Sequence, residues 1–113
     1  MLEKEKRRFK RVKRTLHMQC HPYKTTEPWS SIILQDMSEV GLSFFARQEI
    51  PIGQMLEIRI TTFIRSQPIS IIGEVIDCER KSVGRDLVMR VSIVRINEED
   101  KGIFQEVIQA FLK

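Results

Sequence analysis

The sequence predicts a mainly β fold: a six-stranded antiparallel β-barrel with a basic N-terminal arm and a C-terminal α-helix. Three observations predict it. Apolar residues recur with period two in short segments separated by turn residues, the mark of half-buried strands. The period becomes helical only after Asn97, and positive charge is concentrated in the first fourteen residues. With 113 residues there is room for one domain, since domains commonly run to about 100–150 residues. A dinucleotide-binding dehydrogenase, a kinase or a (β/α)8 enzyme does not fit.

Residues 1–14 form the arm. They hold eight Lys/Arg against two Glu, a net charge of +6. The other 99 residues hold eleven Lys/Arg against thirteen Asp/Glu, a net charge of −2. The basicity of the chain is therefore local, and a short segment rather than a broad face is the candidate anion binder.

Residues 15–113 are read as the barrel and its helix. In the first strand Leu16, Met18 and Cys20 alternate with His17 and Gln19. Pro22 and Pro28 flank a polar loop, and Trp29 to Gln35 is rich in strand formers. Asp36-Met37-Ser38-Glu39-Val40-Gly41 reads as a turn, followed by a strand from Leu42 to Arg47 and a second turn at Pro51-Ile52-Gly53. Leu56, Ile58, Ile60, Thr62 and Ile64 alternate with polar residues, the clearest strand in the chain. Ile69 to Glu79 is the fifth strand, with Gly73 a bulge or close-packing point. Lys81-Ser82-Val83-Gly84 turns the chain into the sixth, where Leu87, Met89, Val91 and Ile93 alternate up to Ile96. Six such strands close most simply into a barrel, which removes exposed edges.

The helix is expected over about 97–112. Ile103, Phe104, Val107, Ile108, Phe111 and Leu112 share one helical face. Asn97 suits the N-cap, and Glu98, Glu99 and Asp100 place negative charge at the positive end of the helix dipole.

The composition excludes several classes. No apolar run approaches the ~18 residues of a membrane span. The start, Met1 to Lys6, lacks an apolar secretory core, and a cytoplasmic location is expected. Two cysteines, Cys20 and Cys78, do not make a disulfide scaffold. No nucleophile elbow or phosphate-binding glycine loop is present, so no catalytic residue is assigned and an enzyme is not expected. His17, Cys20, His21 and Cys78 lack zinc-site spacing. Adjacent strand residues such as Cys20 and His21 point apart, which predicts a buried Cys20, exposed histidines and no metal. Trp29, Phe44 and Phe45 are read as core or rim aromatics rather than base-stacking platforms, and Met37 and Met55 as packing residues.

Two segments carry chemistry. Arg7-Arg8-Phe9-Lys10-Arg11 offers guanidinium groups that bind phosphate in bidentate fashion and stack on flat rings. In Asp36-Met37-Ser38-Glu39-Val40-Gly41 a carboxylate and a hydroxyl two residues apart lie on one side of the chain at a strand end. A carboxylate accepts from base N–H groups. Gly41 permits a tight turn or a close approach of the backbone to a ligand.

In this order and at this separation, the two segments resemble the signature of the PilZ domain family, the receptors for cyclic di-GMP: R-x-x-x-R, often with a doubled first arginine, then [DN]-x-S-x-x-G. The resemblance extends over nearly the whole chain, including a six-stranded barrel ending in a helix. Val40 stands where the family often has a second glycine. The resemblance implies that Arg7, Arg8 and Arg11 grip phosphates and stack on guanines. It implies that Asp36 and Ser38 hydrogen-bond the ligand and that Gly41 fixes the turn. The expected ligand is one or two cyclic di-GMP molecules, with no other cofactor; the arm, whose net charge of +6 repels itself, is expected to order over the barrel on binding and to present a surface to a protein effector. A nucleic-acid module using the basic arm is disfavoured by the acidic body. A nucleotide-independent adaptor would use the barrel and the Phe104/Phe111 helix.

Overall fold

The computed structural model describes residues 16–80 and 87–112. Among these residues there are six antiparallel strands: β1 (His17–Pro22), β2 (Ser30–Met37), β3 (Gly41–Ala46), β4 (Met55–Thr61), β5 (Ile69–Arg80) and β6 (Leu87–Ile96). Among the described residues one helix, α1 (Glu98–Leu112), follows. The strands close into a barrel in the order β1-β2-β3-β6-β5-β4. Closure is made by β1 on β4, from His17 opposite Thr61 to Pro22 opposite Leu56. Closure gives every strand a neighbour on both sides over part of its length, which shortens the exposed edges.

The alternation read from the sequence sets the faces. Met18 and Cys20, Leu42 and Phe44, Leu56, Ile58 and Ile60, Ile69, Ile71 and Val75, and Leu87, Met89 and Val91 all point into one core. Phe44 and Met89, opposite one another on β3 and β6, are completely buried. Met37 is buried as a packing residue, as its type suggested. The strand expected to reach Ile64 stops at Thr61. The Thr62 hydroxyl accepts from the Ile64 amide at 3.0 Å, a local side-chain bond that competes with the ladder.

Gly73 lies where the β5–β6 register shifts, between Ile72 and Gly73. A Cβ there would stand 2.3 Å from Cγ1 of Val91, so the glycine makes room for the valine. The bulge and close-packing readings of Gly73 are thus the same fact.

Helix α1 lays Phe104, Val107 and Ile108 on the core, and burial of such side chains contributes about 1.5–3 kcal/mol each. The Asp100 amide donates to the Asn97 carbonyl at 2.9 Å, closing the first turn behind the expected N-cap. The acidic first turn has a second purpose. Asp100 is buried, accepts from the Arg65 guanidinium in the β4–β5 loop, and takes the Ser70 amide at 3.4 Å. It is a clasp between helix and barrel as well as a partner of the helix dipole.

The basic arm of residues 1–14, the Lys81–Gly84 turn and the side chains of Phe111 and Leu112 lie outside the described residues. Among the described residues no helix is long and apolar enough to cross a membrane.

Candidate functional site

The Asp36–Gly41 segment folds into a self-bonded corner. Asp36 and Met37 end β2 and Gly41 begins β3, so the turn proper is Ser38–Val40. The Ser38 amide donates to the Gly41 carbonyl at 2.8 Å. The Ser38 hydroxyl accepts from the Val40 amide at 3.3 Å and donates to the Gly41 carbonyl at 3.4 Å. The Val40 carbonyl in turn accepts from the Ile93 amide of β6 at 2.8 Å. Serine does here what it does in many turns, replacing a backbone partner. Asp36 uses Oδ1 to accept from the Met37 amide at 2.8 Å, and Oδ2 has no partner among the described residues.

Gly41 has a different reason from the one its sequence position suggests. Among the described glycines only Gly53 has a positive φ, of 95°. Gly41 is required by proximity: a Cβ would stand 2.6 Å from the Val91 carbonyl oxygen on β6. The glycine lets the corner sit against β6.

That contact creates a cleft of about 220 Å3 lined by Asp36, Met37, Ser38, Gly41, Leu42, Ser43, Arg90 and Val91. Pockets for whole drug-sized ligands run to about 300–1,000 Å3, so this one matches a portion of a larger molecule. Three of its polar residues, Asp36, Ser43 and Arg90, share one lateral row that continues to Asp77 outside the cleft. Asp36 is opposite Ser43, Ser43 opposite Arg90, and Arg90 opposite Asp77, across β2, β3, β6 and β5. The Ser43 hydroxyl is taken by Gln35 at 2.9 Å.

Asp36, Ser38 and Gly41 therefore share one cleft. Arg7, Arg8 and Arg11 lie outside the described residues. Sequence reasoning missed Arg90 and Ser43. The available signal was faint: Arg90 is the polar outward position in the otherwise apolar run Leu87–Val91, and nothing local says which strand lies beside it.

The outer wall of β1 corrects one expectation. His17 is exposed, but His21 is 9% exposed and counts as buried. Its Nε2 lies 3.1 Å from Glu57 Oε1, and its ring centroid 4.0 Å from that of Trp29. The Arg59 guanidinium carbon sits 3.8 Å from the Trp29 ring centroid. Period two does place His21 away from the core. It could not show that Trp29, entering β2 from the preceding loop, would cover it. Trp29 and Phe45 are half-buried and Phe44 fully buried. Among the described residues no group of three or more His, Cys, Asp or Glu is arranged to hold a metal ion.

The family model of the PilZ domain matches residues 5–112, nearly the whole chain. The chain belongs to the PilZ domain family. Among solved structures this PilZ chain is similar to the Bacillus subtilis inhibitor of motility, MotI/DgrA, with a TM-score of 0.67 at 15% identity. The match covers 87% of this chain and 46% of that one, so the PilZ chain spans about half the length of that relative. At this identity the likeness is one of fold. A search of curated proteins finds no match. PilZ domains are generally cyclic di-GMP-binding adaptors rather than enzymes.

Proposed function

We propose that this PilZ domain is a cyclic di-GMP receptor that binds its ligand between the corner cleft and the basic arm and passes the signal to a protein effector. The observation that carries the reading is the meeting of Asp36, Ser38 and Gly41 on one cleft too small for a whole dinucleotide. Asp36 Oδ2 is the acceptor for a guanine N1–H and amino group. The Ser38 hydroxyl, bonded to Gly41 at 3.4 Å, can turn its weak bond toward the ligand. Arg7, Arg8 and Arg11 supply guanidinium groups to the phosphates and to the guanine faces.

The entry of the chain into the barrel supports this division of labour. Met18 pairs with Ile32 and Cys20 with Ser30. The chain enters β1 from Leu16, two residues before Met18, whose partner Ile32 is four residues before Asp36 on β2. Neighbouring strands are about 4.8 Å apart, and the five residues from Arg11 to Leu16 extend to about 17 Å. From Leu16 a basic segment of this length has the reach to cover the corner.

Ordering the arm costs roughly 1–2 kcal/mol of backbone entropy per residue. A charge-assisted hydrogen bond returns about 1.5–3 kcal/mol. One contact cannot order the segment, whereas several made together to one ligand can. The arm then closes only when the ligand is bound, which is the property a signalling switch needs.

Calorimetric titration of the full chain with cyclic di-GMP tests the reading. The expected result is saturable binding with a stoichiometry of one or two nucleotides, lost or strongly weakened in Arg11→Ala and in Asp36→Ala. Absence of binding would refute it. Tighter binding to oligonucleotides, falling steeply with salt and indifferent to Asp36→Ala, would replace it with a nucleic-acid role.

A further inference from the structure

Arg90 is the cation among the described residues that line the cleft, and it is held from the far side. Its Nε lies 3.5 Å from Asp77 Oδ2 and its Nη2 lies 3.5 Å from Glu79 Oε1. Good charge-assisted pairs close to about 2.7–2.9 Å, so both bridges are loose. All three side chains are about half exposed: 48% for Arg90, 53% for Asp77 and 58% for Glu79. Nη1 has no partner among the described residues. Because Asp77 is on β5 and Asp36 on β2, with β3 and β6 between them, the two acids pull the guanidinium away from Asp36.

We infer that Arg90 is a ligand-binding residue supplied by the barrel itself, taking a phosphate of the ligand, and that Asp77 and Glu79 set the affinity of the site by competing for the same guanidinium. The inference rests on the reading of the cleft as a cyclic dinucleotide site. A phosphate above the cleft gives Arg90 shorter, bidentate bonds than either carboxylate now does. Exposed pairs of this kind contribute about 0–1 kcal/mol, so the carboxylates restrain the arginine without locking it. Free protein keeps Arg90 against β5, and bound protein swings it over Ser43 toward the corner. Sequence changes at positions 77 and 79 would then retune the receptor without touching the arm or the corner.

The test is a mutant cycle read by calorimetric titration of the full chain with cyclic di-GMP. Arg90→Gln is expected to weaken binding roughly ten- to a hundredfold, the loss of one charge-assisted interaction. Arg90→Lys, which keeps the charge but not the fork, falls between Gln and wild type. The double variant Asp77→Asn/Glu79→Gln is expected to bind about two- to fivefold more tightly. The same double change made in Arg90→Gln is expected to give no gain. These side chains are surface groups, and thermal melts check that each variant is folded. If wild type binds and Arg90→Gln binds equally well, Arg90 is not in the site, and the receptor reading survives without it. An equal gain in both backgrounds would mean general relief of negative charge and would overturn the competition. If wild type does not bind, both the receptor reading and this inference fall.

Discussion

Replacing Gly41 by alanine tests the idea that the corner depends on a close strand contact rather than on unusual backbone angles. The added Cβ would sit 2.6 Å from the Val91 carbonyl oxygen, whereas ordinary contact begins at 3.4 Å, so about 0.8 Å must be found. The opposing atom is backbone and cannot rotate away. Gly41 faces Ser92 and Leu42 faces Val91 in the β3–β6 ladder, so the shift strains the pairing beside the cleft. Overpacking of this kind costs about 1–3 kcal/mol. Alanine also reduces the freedom of the unfolded chain, which returns about 0.4–1 kcal/mol. The clash wins, and a net loss of roughly 1–2 kcal/mol is expected. Urea unfolding followed by far-UV circular dichroism reads it as a lower midpoint with an unchanged slope. The same variant should bind cyclic di-GMP more weakly, because the strand that moves carries the Ser38–Gly41 bonds. Gly53→Ala serves as the contrast: nothing lies within 4 Å of its Cβ position, and its φ of 95° makes the cost conformational. It should lose stability but keep its affinity relative to the folded fraction. A Gly41→Ala protein with wild-type midpoint and wild-type affinity would refute the steric argument.

Three further outcomes follow from Asp100 and the two cysteines. Asp100→Asn removes the charge that meets Arg65 and weakens the bond to the Ser70 amide. Arg65 is 28% exposed and water softens its loss, so a cost of about 1–3 kcal/mol is expected, below the ~3–5 kcal/mol for a fully buried pair. Hydrogen exchange should accelerate first in the opening turn of α1. Burial pushes the Cys20 thiol up from 9.0 to about 11. The unfolded chain therefore loses this proton first as pH rises. The stability the thiol contributes is intact below pH 9 and is lost between pH 9 and about 11, roughly 2–3 kcal/mol in all. Cys20→Ala should flatten the alkaline limb of a stability–pH curve. At pH 8 the half-buried Cys78 should react with a thiol reagent well before Cys20.

The strands, the helix and the Asp36–Gly41 corner were legible in the amino-acid order alone, because each is written in local terms. Alternation of Leu56, Ile58 and Ile60 sets a strand face, the spacing of Phe104, Val107 and Ile108 sets a helix face, and serine and glycine shape the turn from within it. His21 marks the limit of that reasoning: its direction followed from period two, but its burial came from Trp29 and Glu57, which only folding brings near. The strand order likewise emerged only in the folded chain. Placing β6 beside β3 makes Gly41 a contact residue of Val91 and sets Arg90 in one row with Asp36. Period-two alternation says which face a residue takes but carries no record of the neighbouring strand, since that choice depends on pairing between distant segments and on the closure of the core as a whole.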